Sequence, residues 1–276
     1  MYETLVLSGG GIHGFEILGS LNYLHEHHLL NNIKIFSGCS VGALICYLMI
    51  IGYTPNEILT KIFTSQMLKN LSNFELSNIL NNKGICSYKY IYTLLCDLTL
   101  KKFNKLLTLQ ELYDQTGKTL IVSTFNLTDY KQEYFSYKTE PDMLCVDACR
   151  ASSNIPFLFD DFVYNKCIYI DGGIIDNFPI CVPGFKFTKI ISVNISYENS
   201  KITPSSKLFD KIQNIANANI RYNCTKKVKK LIRKNEDVVD IRIKNKHKFY
   251  DFSITSTTCL NKFSYGYLKC KKYFDK

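Results

Sequence analysis

Ser40 stands at the centre of Gly38-Cys39-Ser40-Val41-Gly42, a G-x-S-x-G pattern. An apolar stretch, Ile33 to Phe36, leads into it, and a helix-length apolar stretch, Val41 to Ile51, follows without a break. In the context of strand, sharp turn and helix, the pattern projects the serine oxygen out of the chain, and glycines two residues to either side give the turn room. The first helical N–H groups and the positive end of the helix dipole face the space beside it. A serine hydroxyl is a poor nucleophile alone and needs a base and an oxyanion site. By itself the five-residue pattern fits a buried serine in a small-residue turn equally well.

Histidine is the usual base, in chain order serine, acid, histidine. After Ser40 there is one histidine, His247, in Lys244-Asn245-Lys246-His247-Lys248, with no orienting acid beside it. Three lysines crowd it, and like charge disfavours an imidazolium there. A carboxylate is the other candidate: it is a weak base in water, but burial raises its proton affinity and hydrogen bonds orient it. Asp171 heads Asp171-Gly172-Gly173 at the end of an apolar pattern, Val163 to Ile170. Local sequence favours a blander reading of this stretch. Asp-Gly between apolar runs signals a hairpin, which would leave Asp171 on a solvent-facing loop tip.

Gly9-Gly10-Gly11-Ile12-His13-Gly14 joins a short strand pattern, Thr4 to Ser8, to a helical pattern, Phe15 to Leu30. Such a turn can point its N–H groups outward as an anion-binding nest. Gly9, Gly11 and Gly14 also fit the dinucleotide fingerprint, which wants an acidic residue at the end of the second strand. Here that strand ends in Ser37-Gly38 and carries the serine elbow, so a nucleotide site is disfavoured. His25-Glu26-His27-His28 looks like a metal tract, but no second ligand cluster accompanies it. At a helix C-terminus these side chains suit solvent and the dipole.

The remaining patterns supply the frame. Tyr53 to Gln115 reads as a helical insertion or cap without a catalytic constellation of its own. Its helices start at Thr54-Pro55-Asn56-Glu57 and run over Leu76 to Asn82, Tyr88 to Leu100 and Thr108 to Tyr113. Lys118 to Asn126 reads as a strand paired with Gln132 to Tyr137, and Met143 to Ser152 as a helix. Val163 to Ile170 carries a turn at Asn165-Lys166. Strands follow over Lys189 to Ile195 and Val238 to Ile243, with an extended piece at Asp251 to Ile254. Helices cover Leu208 to Ile232 and Leu260 to Phe274, the latter with Gly266 inside it. Strands alternating with helices predict an α/β fold with a largely parallel sheet. No linker divides residues 1–276, so one domain is expected.

With 276 residues, 46% hydrophobic and 21% charged, the chain can bury a sizeable core as a soluble protein. The N-terminus enters a strand pattern directly and shows no signal peptide. The longest apolar run falls short of the roughly 20 residues a membrane span needs. Tyr2 stands where myristoylation needs glycine, and there is no prenylation box. The eleven cysteines are scattered without a C-x-x-C, which suits reduced thiols and a cytoplasmic location. Much of the net charge of +10 lies in Arg221 to Lys248, with eleven Lys/Arg against three acids. Such a run is usually a solvated helix face and its flanks; the sharper readings are a peripheral contact with an anionic membrane surface, or nucleic acid. It lacks the clustered stacking aromatics of a nucleic-acid site, so no nucleic acid is expected.

Taken in order, the glycine turn, Gly38-x-Ser40-x-Gly42 and Asp171-Gly172-Gly173 resemble the patatin-like phospholipases. Ala151-Ser152-Ser153-Asn154-Ile155-Pro156 adds to the likeness, which extends from about Thr4 to the final helix. Eight of the fourteen glycines fall in the three motifs. The resemblance implies a three-layer α/β fold with a mostly parallel central sheet flanked by helices. Its catalytic core would be 4–184, with 185–276 completing the fold. It implies a catalytic dyad of Ser40 and Asp171, reversing the hairpin reading, and an oxyanion hole in the turn of Gly9, Gly10, Gly11 and Gly14, with Gly10 and Gly11 as donors. Gly38 and Gly42 would shape the elbow, and Gly172 and Gly173 the turn after the aspartate. The implied reaction is cleavage of acyl esters of a phospholipid or other glycerolipid, without metal or cofactor. One departure stands out: the family usually has Lys or Arg where this chain has His13. That departure, with the basic stretch, motivates the alternative of a weakly active or inactive lipid-binding protein.

Overall fold

A computed structural model describes residues 1–65, 67–71, 84–197, 226–227, 229, 231, 238–245 and 255–275. The expected helix over Leu76 to Asn82, nearly all of that over Leu208 to Ile232, the piece at Asp251 to Ile254, His247 and most of the basic run lie outside the described residues.

One sheet holds β1 (Thr4–Leu7), β2 (Ile35–Cys39), β3 (Thr119–Asn126), β4 (Lys131–Phe135), β5 (Phe162–Tyr164), β6 (Cys167–Asp171), β7 (Ile190–Tyr197) and β8 (Val238–Asn245). The order is β5-β6-β3-β2-β1-β7-β8, with β4 also paired to β3. Pairings β1–β2, β1–β7, β2–β3 and β7–β8 are parallel, and those among β3, β4, β5 and β6 are antiparallel. Alternate residues feed two cores: Leu5, Leu7 and Val122 join the larger one, and Val6 and Ile121 join the other. Both sheet faces are therefore covered, which is why the central strands read as unbroken apolar runs. The expected α/β class with a mostly parallel sheet flanked by helices is what the chain adopts.

The helices are α1 (Gly14–Glu26), α2 (Val41–Ile50), α3 (Pro55–Thr64), α4 (Met67–Leu71), α5 (Lys89–Phe103), α6 (Leu109–Thr116), α7 (Cys145–Ser153), α8 (Gly173–Asp176) and α9 (Ser256–Phe274). Capping boxes start α3 (Thr54 with Glu57) and α6 (Thr108 with Glu111), satisfying N–H groups that a helix start leaves orphaned. The turn expected at Asn165-Lys166 joins β5 to β6, with φ of 47° and 65°. Helix α1 stops four residues earlier than its apolar pattern suggests, and His28 adopts φ 58° just beyond.

Two features position the site. First, β4 pairs with β3 over Val122–Asn126, so β2 and β6 must share the opposite edge of β3. On that edge Cys39 pairs with Ser123 and Asp171 with Thr124, the next residue. Strands β2 and β6 run toward each other, so their C-terminal ends abut. Asp171 is thus the buried last residue of a strand, 8% exposed, and not a hairpin tip. Second, α9 packs on α1 through glycines. A Cβ on Gly19 would collide with the Phe263 carbonyl, and one on Gly266 with the Glu16 carbonyl. Ser20 Oγ donates to Gly266 O across the contact at 2.9 Å.

Candidate active site

Ser40 links β2 to α2 with φ 52° and ψ −129°. For a residue with a side chain this conformation costs about 1–3 kcal/mol and persists only where its surroundings enforce it. The flanking glycines do part of that. A Cβ on Gly38 would lie 2.6 Å from Ala43 N, and one on Gly42 2.6 Å from Ser8 O. Helix α2 therefore starts flush against β1 and β2. Ser40 N–H donates to Ser152 Oγ at 3.0 Å, whose hydroxyl donates to Ser123 O at 2.7 Å. The elbow is thereby tied to β3 and to the end of α7.

Asp171 faces the Ser40 side chain. Its Oδ1 also accepts Gly173 N–H at 2.7 Å and lies 3.6 Å from Cys39 Sγ. Its backbone N–H donates to Asn154 O at 2.9 Å, and Asn154 Nδ2 donates to Tyr169 O. A Cβ on Gly172 would collide with the Ser123 carbonyl, so only glycine lets the chain turn this close to β3. Burial pushes the Asp171 carboxyl up to about 6, although Ser40, Gly173 and Cys39 beside it pull it back. Burial, then the Asp171 charge, push the Cys39 thiol well above its ordinary range, so it remains a donor.

In the glycine turn, the structure divides the four expected oxyanion residues. Gly9 N–H donates to Asn177 O at 3.0 Å, and Asn177 Nδ2 donates back to Gly9 O at 3.3 Å. Gly14 N–H donates to Gly11 O, closing the 3-10 turn Gly11–His13. Neither N–H is free for a ligand, which corrects the expectation for Gly9 and Gly14. Their glycines serve close approach: a Cβ on Gly9 would come within 3.1 Å of Ser40 Cβ, and one on Gly14 within 2.5 Å of Val41 Cγ2. Among the described residues, Gly10 and Gly11 N–H donate to no acceptor.

Ser40 also lines a cavity of about 110 Å³ whose wall is otherwise almost entirely apolar, with Phe15, Leu44, Ile62, Leu95 and Phe159 among its residues. Helices α3, α4 and α5 supply much of that wall. The region read as an insertion or cap thus contributes to the cavity wall through its described residues.

A family model for patatin-like phospholipases matches residues 5–182. The chain belongs to the patatin-like phospholipase family. It is 37% identical over 203 residues to "Probable lipid hydrolase 463L" of Invertebrate iridescent virus 6, covering 72% of this chain and 66% of that one. It is 30% identical over 229 residues to "Triacylglycerol lipase ptl3" of Schizosaccharomyces pombe, covering 73% of this chain and 46% of that one. The chain thus spans about two thirds or less of these relatives' length. Among solved structures, VipD from Legionella pneumophila superposes with a TM-score of 0.61 at 18% identity, over 99% of this chain and 67% of that one. ExoU in its complex with SpcU from Pseudomonas aeruginosa gives 0.55 at 16% identity, over 99% of this chain and 51% of that one. These show the shared fold.

A cation stands beside His13, the residue found where the resemblance implies Lys or Arg. Lys262 Nζ, from α9, lies 3.1 Å from His13 Nδ1 and 3.2 Å from Glu16 Oε1. Burial raises the Glu16 carboxyl, but His13 and Lys262 outweigh it and hold it below its ordinary value. Ser152, Asn177 and Lys262 contact the elbow and the glycine turn, and the sequence marks none of them as functional: Ser152 reads as a small packing residue of its helix, and nothing local distinguishes Asn177 or Lys262. Among the described residues, no single helix is long and apolar enough to cross a membrane.

Proposed function

We propose that the chain is a lipid acyl hydrolase that cleaves fatty acyl esters of glycerolipids, phospholipids among them, with Ser40 and Asp171 as its dyad. One observation carries this: Ser40 stands beside a buried Asp171 whose proton affinity is raised, at the wall of an apolar cavity. Ser40 Oγ attacks the acyl carbonyl while Asp171 takes its proton. The N–H groups of Gly10, Gly11 and Val41 receive the oxyanion, each donor worth about 3 kcal/mol in the transition state. The intermediate collapses as Asp171 returns the proton to the leaving alcohol. Water, deprotonated by Asp171, then cleaves the acyl-serine and releases the fatty acid. The apolar cavity takes the acyl chain.

The names of the relatives, a lipid hydrolase and a triacylglycerol lipase, support an ester-bearing lipid as substrate. Residues 1–276 act as one domain, 4–184 carrying the dyad and 185–276 completing the fold. The protein works in the cytoplasm as a peripheral visitor to anionic membrane surfaces. A fluorophosphonate probe tests the chemistry: it should label folded wild type at Ser40, and Ser40→Ala should not react. A mixed lipid extract should release free fatty acid. Clean absence of labelling in folded protein would favour a non-catalytic lipid-binding role.

The base also sets the pH dependence. Asp171 must be a carboxylate to accept the serine proton, and its carboxyl titrates at about 6. Turnover should therefore climb as pH rises through about 6 and then level off. A flat profile between about pH 5 and pH 8 would remove Asp171 from the role of base.

A further inference from the structure

Three buried titratable side chains outside the dyad meet beside the glycine turn. His13 Nδ1 lies 2.8 Å from Glu16 Oε2, and Lys262 Nζ reaches both His13 Nδ1 at 3.1 Å and Glu16 Oε1 at 3.2 Å. With the imidazole proton on Nδ1, His13 donates to Glu16 Oε2 while Lys262 donates to Glu16 Oε1, so the ammonium holds the histidine through the shared carboxylate and not by a bond of its own to Nδ1. His13 is fully buried and Lys262 is 9% exposed.

His13 is part of the turn itself. Its N–H donates to Gly10 O at 3.0 Å, and its Cβ would lie 3.3 Å from a Cβ placed on Gly10. Gly11, the next residue, lines the same cavity as Ser40. Lys262 arrives from 249 residues away because α9 lies against α1 at the Gly19 and Gly266 contact, where neither helix tolerates a Cβ. Buried ion clusters add little net stability over apolar packing, and their best attested gain is a specified conformation. The conformation specified here is that of the turn.

We propose that Lys262 is a positioning residue of the oxyanion site: with Glu16 it locks His13, and through His13 it holds the Gly10–Gly11 peptides with their N–H groups open beside Ser40. The proposal rests on the acyl-hydrolase reading and extends the working site to a helix outside residues 5–182, the span of the family match.

The test uses the full chain with Lys262→Met, Lys262→Arg and the double variant Glu16→Gln/Lys262→Met. The readouts are kcat and KM on a soluble p-nitrophenyl ester, the rate of Ser40 labelling by a fluorophosphonate, and the thermal midpoint. Lys262→Met should lower kcat about 10- to 100-fold, the scale of a misplaced reacting group, with KM changed less than about twofold. Labelling should slow in proportion, because phosphonylation uses the same donors, and Lys262→Arg should restore most of both rates. The double variant leaves no unpaired buried charge, so it should keep its midpoint and stay slow even if Lys262→Met alone folds poorly. Wild-type kcat and labelling in the folded double variant would overturn the proposal, and a lowered midpoint with unchanged kcat would reduce the cluster to a stabilising role. If folded wild type is not labelled at all, the acyl-hydrolase reading falls and takes this proposal with it. If wild type reacts and every variant reacts equally, only the proposal falls.

Discussion

Asp171→Asn should lower ester hydrolysis by about 10⁴-fold, the upper range for loss of a general base, and Ser40→Ala should lower it at least as far. An amide cannot accept the serine proton, yet it can still accept Gly173 N–H at its oxygen. The same variant should raise stability at neutral pH. The Asp171 carboxyl titrates at about 6 in the fold against an ordinary 3.8, with burial the main cause. A raised carboxyl favours folding only while protonated. Its contribution is present below about pH 4 and is lost as pH rises through about 6, where the charge must be buried. A neutral side chain escapes that loss, so the thermal midpoint of Asp171→Asn should exceed that of wild type at pH 7 and converge with it at pH 4. Near-normal turnover in this variant would refute the dyad. An unchanged midpoint at pH 7 would show that the carboxylate is not confined in a dry site.

Gly42→Ala should destabilise the protein by about 3 kcal/mol or more and abolish labelling of Ser40 in the fraction that still folds. The added Cβ would lie 2.6 Å from Ser8 O and 2.7 Å from Leu7 O. Both are backbone atoms at the end of β1, which pairs with β2 on one side and β7 on the other. They cannot give way without opening the centre of the sheet, so α2 must move instead. Moving α2 swings its first N–H groups and Ser40 away from Asp171. Denaturant melts report the stability, and probe labelling reports the elbow. A variant with wild-type midpoint and labelling would mean that α2 does not press on β1 as closely as the structure has it.

What the chain reveals locally follows how short-ranged each feature is. The elbow is contained in five residues between a strand and a helix, and its glycines are required by contacts within and next to those elements. The helix starts at Thr54 and Thr108 and the turn at Asn165-Lys166 are set by side chains within four positions of one another. The end of α1 is not legible in the pattern, because Leu29 and Leu30 continue the apolar spacing although the chain has already left the helix at Glu26. Asp171 is the instructive residue. Its neighbours signal a hairpin, and its burial depends on β6 entering the edge of β3 one residue beyond β2. The same holds for the turn at Gly9 to Gly14, where Asn177, distant in the chain, takes up one of the expected donors.

By itself, then, the order of residues determined the α/β alternation, the serine at a strand-to-helix turn and the glycine nest, because each is a matter of near neighbours and steric room. Only the tertiary structure decided which carboxyl is buried beside the elbow, which N–H groups of the turn remain open and which cation stands by His13. Those outcomes depend on strand register and helix crossing, where contacts join residues 132 and 249 positions apart and no local pattern encodes the partner.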